Sequence, residues 1–370
     1  MRLLRASIRN FRNLESAELE LGPRFTALIG QNGQGKTNTL EALYLIAALR
    51  PLRNVPRSAL IRHGAESAHV ALTVERQSTG LTHALSLELK GASRVLQKDG
   101  KKAETGSFLG HAVTVAFTPD DLALGKGSPE GRRRFLDRAL LNVRPAYLVR
   151  ALRFQKAIKE RNRVLIDQGK DEVLDAYDQV IASEGAGIMV ERARYIRELG
   201  PRAASHFARI ADPAPTLSLA YAASLDEGLD PSSEAQTREA YLAKLLRRRP
   251  LDRKRRTTSV GPHHDDLELM LDGHRVKDRA SQGQHRALAL ALKLAELTDL
   301  AERLQEPPIL LLDDMSSELD PVRSGQLFDC VRRLEGQVIL TSTEPPRGLE
   351  ASGHLVEYDV AQGQVTRRHP

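Results

Sequence analysis

Gly30-Gln31-Asn32-Gly33-Gln34-Gly35-Lys36-Thr37 decides how the chain is read. It fits Gly-x4-Gly-Lys-Ser/Thr, the phosphate loop in which backbone N–H groups wrap a triphosphate, the lysine reaches the outer phosphates and the hydroxyl ligates magnesium. Phe25–Ile29 before it is an apolar, strand-like run, and the stretch from Lys36 to Leu49 carries Leu40, Leu43, Tyr44 and Ala47 at helical spacing. Strand, loop and helix therefore come in the order a nucleotide site requires. Far along the chain, Ile309-Leu310-Leu311-Leu312-Asp313-Asp314 is an apolar strand tipped by two acids. Such a tip suits magnesium binding by Asp313 and orientation of a water by Asp314. Acid-tipped strands are common, and it is the pairing with the phosphate loop that gives this one meaning.

The length of 370 residues and the 41% hydrophobic composition allow two or three compact units with sizeable cores. Lys plus Arg is 55 against 48 Asp plus Glu, a net charge of +7, which suits a polyanionic partner. Cys330 is the sole cysteine, so no intramolecular disulfide can form and a reducing, cytoplasmic compartment is expected. Arg2, Arg5, Arg9 and Arg12 interrupt the N-terminal apolar residues, unlike a signal peptide, and no apolar run approaches a membrane span.

Residues 1 to 29 alternate as strands do, with Leu4, Ala6 and Ile8 on one face, then Ala17, Leu19 and Leu21 leading to the turn at Gly22-Pro23. Strand-like segments around residues 69–76 and 83–89, with turns at Gly91 and at residues 98–102, predict an antiparallel meander. Val113–Phe117 reads as a short strand stopped by Pro119, and Asp120-Asp121 either face the nucleotide or, the favoured reading, merely end the strand. From Ser128 the pattern turns helical and charged, over residues 128–143, 146–168 and 172–209, with breaks expected at Gly185 or Gly187 and at Gly200-Pro201. Heptads long enough for an extended coiled coil are absent, so a compact helical lobe is expected. A helix over residues 234–246 then leads into the basic run from Arg247 to Arg256, and Thr216–Tyr221 reads as a strand. After a strand at Asp266–Leu271, a helix over residues 287–304 and the acid-tipped strand come a helix at 322–334 and strands at 337–341 and 353–359. The division expected is an N-terminal half of an α/β head (1–125), a mainly helical lobe (126–255) and a C-terminal half of the head (256–370).

Ser281-Gln282-Gly283-Gln284 opens the helix upstream of the acid-tipped strand, where a serine cap, a glycine and free N–H groups make an anion site. Alone it is a helix cap. The acid-tipped strand is followed by Met315-Ser316-Ser317-Glu318-Leu319-Asp320. In this order the motifs resemble ATPases of the ABC type, whose mixed-sheet heads carry a phosphate loop, a Ser-x-Gly-Gln signature, an acid-tipped strand and a Ser-x-Leu-Asp loop. Within that group the chain most resembles the RecF family of recombination mediators, related to structural-maintenance-of-chromosomes proteins. The closer match is carried by Ile8-Arg-Asn-Phe-Arg-Asn13, residues 30–41, Ile61-Arg-His-Gly64, Gly131-Arg-Arg-Arg-Phe-Leu-Asp137, Lys159-Glu-Arg-Asn162 and Gly261-Pro-His263.

The resemblance implies an ATP- and Mg2+-dependent homodimer with composite sites. ATP on Gly30, Gln31, Asn32, Gly33, Gln34, Gly35, Lys36 and Thr37 of one copy would be capped by Ser281, Gly283 and Gln284 of the other, with Asp320 facing the partner. Asp313 would hold magnesium with Thr37, and Asp314 takes the place where most relatives have a glutamate base. Aspartate is one methylene shorter, which implies slow turnover suited to a switch. Where transporter-type relatives place a switch histidine this chain reads Thr341-Ser342-Thr343, so the motifs do not identify the γ-phosphate sensors.

For DNA, Arg132, Arg133 and Arg134 and the run Arg247, Arg248, Arg249, Arg253, Lys254, Arg255 and Arg256 are the candidate phosphate contacts. Aromatics are only 4%, with no Trp, which favours duplex or junction backbone over base stacking. The expected function is an ATP-switched DNA clamp of repair and replication that helps load a recombinase at gaps, with mediators of the RecO and RecR type as partners. The alternatives are a transporter's energy-coupling subunit and an ATP-controlled nucleic-acid-processing enzyme. His263 and His264 beside Asp265 and Asp266 imitate a metal site, but the spacing favours a turn near the head.

Overall fold

The computed structural model describes residues 1–53, 55–91, 93–144, 146–211, 214–226, 230–314, 325, 329, 336–346, 349 and 354–368. The first elements are β1 (Arg2–Phe11), β2 (Leu14–Glu20), β3 (Phe25–Ile29), α1 (Lys36–Ala48), β4 (Ser67–Arg76), β5 (Leu81–Lys90), β6 (Ser93–Lys98), β7 (Lys101–Lys102), α2 (Thr105–Phe108), β8 (Thr114–Phe117) and α3 (Pro119–Leu122). Next come α4 (Pro129–Val143), α5 (Ala146–Ile166), α6 (Asp171–Ile210), β9 (Leu217–Ala222), α7 (Glu234–Arg255), β10 (Asp266–Leu271), β11 (His274–Arg275), α8 (Val276–Arg279) and α9 (Gln282–Leu304). The last are β12 (Ile309–Leu312), β13 (Val338–Ser342), β14 (Leu355–Ala361) and β15 (Gln364–Arg367). Asp320, Cys330 and most of the helix expected over 322–334 lie outside the described residues.

The chain divides into two compact units, Met1–Leu122 with Glu296–Pro370, and Ala123–Ala295. Residues 256–295, grouped on sequence with the head, belong to the second unit. Within the first unit one sheet is the meander β2-β1-β4-β5-β6-β7 and the other runs β15-β14-β3-β13-β12-β8. From β14 to β8 the strands of the second sheet are parallel. That is why β3, β8, β12 and β13 read as unbroken apolar runs, each buried on both faces. The meander strands alternate instead. A bulge in β1 between Leu3 and Arg5 shifts the pleat, so Leu3, Ala6 and Ile8 are buried and Leu4, expected inside, is only half-buried. Helix α1 is buried nearly all round, against β1, β4, β8 and β13. Asp121 accepts hydrogen bonds from the N–H and hydroxyl of Thr118 and closes the turn after β8.

In the second unit, α6 is one helix of 40 residues rather than the three segments that breaks at Gly185 or Gly187 and at Gly200-Pro201 would leave. Gly185 is small because α7 and α5 press on it: a Cβ there would lie 2.5 Å from Tyr241 and 3.1 Å from Phe154. Gly187 faces the Arg150 guanidinium, and Gly200, beside Pro201, lies under Leu219 of β9. The basic run is also not a tail to a shorter helix. Helix α7 passes through Pro250 to Arg255, so the run is its last two turns. A buried arginine ties these helices: Arg161 of α5 donates to Asp178 of α6 (2.6 Å) and to Asp252 of α7 (2.8 Å). Among the described residues no helix is long and apolar enough to cross a membrane.

The two close glycines differ in what opposes them, and substitution separates them. Gly185→Ala forces buried rings apart and should cost about 1–3 kcal/mol, a melting-point loss of several degrees. Gly187→Ala displaces only the flexible end of Arg150 and gains roughly 1 kcal/mol of helix propensity, so its melting point should stay near wild type. Equal losses in thermal melts of the two variants would contradict this account of α6.

Candidate nucleotide-binding site

The loop between β3 and α1 takes the form its glycines allow. Gly33 (φ 81°) and Gly35 (φ 120°) hold left-handed conformations that a side chain would strain. Lys36 is buried, and its Nζ donates to the loop's own carbonyls at Gly30 (2.6 Å) and Gln31 (3.1 Å). No acid occupies the first turn of α1, so the helix N-terminus keeps its partial positive charge beside the loop. The cleft bounded by residues 32, 33 and 35–38, Arg53 and Asp314 has a volume of about 210 Å3.

Beneath the loop the acid-tipped strand arrives as expected. The Thr37 hydroxyl donates to Asp313 Oδ1 at 2.7 Å, and the Thr341 hydroxyl, on neighbouring β13, donates to the same oxygen at 3.0 Å. Burial pushes the Asp313 carboxyl above the ordinary carboxylate range, while these two hydrogen bonds pull it down. Asp314 sits at φ 46°, a left-handed conformation that costs of order 1 kcal/mol or more outside glycine. Its N–H is held by Thr341 Oγ1 at 2.8 Å, and the side chain lines the cleft. A hydroxyl and a buried carboxylate converging at hydrogen-bond distance form a hard oxygen donor pair, which fits magnesium with substrate phosphates completing its shell.

Sequence reasoning missed the residues that brace the loop. Glu41 of α1 is fully buried and paired with Arg12 (2.9 Å) from the β1–β2 turn, and with Arg53 at 3.7 Å. Arg53 also donates to Asn38 (2.8 Å), Asn38 to Asn13 (2.8 Å), and Asn13 to the Gln34 carbonyl (3.2 Å). The β14–β15 turn closes the other side, with Gln362 N–H on Gln34 Oε1 at 2.6 Å and Gly363 N–H on the Gln34 carbonyl at 2.9 Å. The available signal was Arg12-Asn13, which the sequence offered only as part of a family motif.

In the second unit Ser281, Gly283 and Gln284 gather at the N-terminus of α9. Ser281 and Gln284 form a capping box: the Gln284 N–H donates to Ser281 Oγ (3.2 Å), and the Ser281 N–H donates to Gln284 Oε1 (2.8 Å). His263 and His264 both meet the Thr258 carbonyl, and burial drives His263 down to about 4. Asp265 is engaged by Tyr221 and Ser224, and Asp266 by Arg132, so these acids serve the turn.

The basic candidates divide by whether an acid or a carbonyl engages them. Arg132, expected at DNA, is instead buried, with both Asp266 oxygens at 2.7 Å. Arg133 donates to the Asp265 carbonyl, and Arg134 lies 3.9 Å from Glu130. Arg247 pairs with Asp226, Arg249 with Asp175 and Asp178, and Arg253 with Asp171. Arg248, Lys254, Arg255 and Arg256 are exposed.

A family model described as RecF/RecN/SMC N terminal domain matches residues 2–366. The chain is 42% identical over 366 residues to the DNA replication and repair protein RecF of Anaeromyxobacter sp. (strain Fw109-5), covering 96% of this chain and 98% of that one. It is also 42% identical to RecF of Myxococcus xanthus (strain DK1622), covering 100% and 98%. A solved structure of the recombination mediator protein RecF with ATP, of the RecFOR pathway, superposes with a TM-score of 0.86 at 29% identity, covering 99% of this chain and 97% of that one. An Smc head bound to the C-winged helix domain of ScpA, 17% identical, shares the fold at a TM-score of 0.54 over 100% of this chain and 98% of that one. The α/β architecture is thus that of an ABC-type P-loop ATPase head, and the chain belongs to the RecF family of DNA replication and repair proteins.

Proposed function

We propose that the chain is an ATP-switched DNA-binding protein of recombinational repair and replication. The observation that carries this reading is the meeting of Thr37, Asp313 and Thr341 beneath a complete phosphate loop. Lys36, held on loop carbonyls, is placed to exchange them for the outer phosphates, and the N-terminus of α1 receives their charge. Thr37 and Asp313 would hold magnesium, which when bound neutralises charge on the phosphates. Asp314 is the residue that orients and deprotonates the attacking water. Ser281 and Gln282 are exposed, so the capped turn of α9 is open to the nucleotide of a second copy, as a composite dimer requires. Hydrolysis then releases the dimer, and the chemical step serves as a timer.

DNA is taken to meet the end of α7, where Arg248, Lys254, Arg255 and Arg256 are exposed. Backbone phosphates are the ligand, in duplex or at a junction, with counterion release as the driving term. The RecFOR context of the solved relatives supports mediator proteins of the RecO and RecR type as partners.

Lys36→Ala should weaken ATP binding by about 10- to 100-fold, the equivalent of charge-assisted hydrogen bonds worth about 1.5–3 kcal/mol. Asp314→Asn should keep ATP but slow turnover by about 10²- to 10⁴-fold and lengthen the life of the dimer in sedimentation. A dimer indifferent to ATP, or equally short-lived in Asp314→Asn, would sink the switch. Asp313→Asn separates stability from function. Because burial raises the folded carboxyl above its unfolded value, ionisation costs the fold stability as pH rises through the ordinary carboxylate range towards the raised value, and that cost is complete above it. The asparagine should raise the melting temperature at neutral pH, lose that gain in acid, and abolish magnesium-dependent hydrolysis. Finally, replacing Lys254, Arg255 and Arg256 together with alanine should lower the slope of log affinity against log salt by about 3 in fluorescence anisotropy with duplex DNA. An unchanged slope would remove this face from the DNA contact.

A further inference from the structure

Arg132, near the start of α4, uses its guanidinium on three partners. Nε and one terminal nitrogen grip both oxygens of Asp266 at 2.7 Å, and the other donates to the carbonyls of Leu124 (3.2 Å) and Gly127 (2.8 Å). The side chain thus fixes the turn at residues 124–127 to the first residue of β10. The middle of that turn, Gly125, is a seat for another ring. A Cβ on Gly125 would overlap Nδ1 of His285, lie 3.1 Å from its Cε1, and lie 3.0 Å from Val276 Cγ1. His285 is the residue next to Gln284, and its N–H donates to the Ser281 carbonyl at 3.0 Å in the first turn of α9. The ring is buried, and its Nδ1 has no hydrogen-bond partner among the described residues. Packing on the bare Cα of Gly125 therefore positions it, and it follows that turn. Val276 opens α8, whose last carbonyls lead to Ala280 and so to Ser281.

We propose that Arg132 is a positioning residue for nucleotide closure: through the Arg132–Asp266 pair and the Gly125 seat it sets the attitude of the Ser281–Gln284 turn that faces the nucleotide of a second copy. This rests on the composite-site reading above. An arginine that only held the fold together would affect nucleotide binding, closure and melting alike. A positioning arginine separates them, because the phosphate loop of the same copy is untouched. Displacing a positioned group by about an ångström is enough to cost on the order of 10²-fold in rate.

The test uses the full chain and ATP, with three readouts: equilibrium binding of ATP, ATP-driven dimerisation by sedimentation, and turnover. Gly125→Ala, which pushes on His285, should leave ATP affinity within about 2-fold while turnover falls on the order of 10²-fold and dimerisation falls with it. In a His285→Ala background, where the ring is gone, the same Gly125→Ala change should alter turnover by less than about 3-fold, the mark of coupling between the two positions. Arg132→Lys, which keeps the charge but cannot make the two-pronged grip, should show the same split and serves if Gly125→Ala does not fold. Wild-type turnover and dimerisation in both variants, or losses matched by a loss of ATP affinity, overturn the proposal. Ser281→Arg is run alongside. If it leaves ATP-driven dimerisation intact, the composite site itself is wrong; if it blocks dimerisation while Gly125→Ala and Arg132→Lys do not, only the positioning role is.

Discussion

The nucleotide crevice of the first unit centres on one carboxylate oxygen that receives two hydroxyls. Asp313 and Thr37 are 276 residues apart, and they meet because β3, β13 and β12 lie side by side and parallel. Ile29 pairs with Ser342, so β3 and β13 end at one level, while Leu312 pairs with Leu340, so β12 ends two residues short of them and the next residue, Asp313, comes level with Thr341. The loop after β3, the threonine on β13 and the acid beyond β12 then share one crevice, at the carboxyl ends of the strands where open α/β sheets bind ligands. A one-residue slip of β12 against β13 would exchange the side chains on its two buried faces and carry the acid away from both hydroxyls.

The basic run is an electrostatic arrangement within the helical lobe. Positive charge at the last turns of α7 is favoured by the helix dipole, and Arg256 caps the helix in a left-handed conformation. Acids at Asp171, Asp175, Asp178 and Asp226 take up Arg247, Arg249 and Arg253. The cationic excess visible in the composition is therefore not uniform along the run. It is concentrated on the residues that these acids do not reach.

What could be read in advance was what depends on neighbours in sequence. The phosphate loop, the acid-tipped strand, the serine cap and the apolar rows of the parallel sheet are all local patterns, and each lies where expected. What escaped reading depends on partners distant in sequence. Gly185 looks like a helix breaker until Tyr241 is brought against it, and Leu4 looks like core until the bulge turns it outward. Arg132 looks like a phosphate ligand because nothing near it in sequence announces Asp266, 134 residues on. The bracing of the loop by Arg12 and Asn13 was hidden for the same reason. Polar side chains carry no periodic signature of the hydrogen bond they will make.

The unbroken α6 has a further consequence. With Gly185, Gly187, Gly200 and Pro201 in its interior, it is handicapped relative to an alanine helix by about 6 kcal/mol in all. No isolated segment of that composition would hold a helix in water. It persists because α5, α7 and β9 pack along it and Arg161 binds its Asp178. Those neighbours in turn have their apolar faces covered by α6. The packing accordingly predicts that the helical lobe opens as one cooperative unit, with the slowest-exchanging amides of α5, α6 and α7 exposed together.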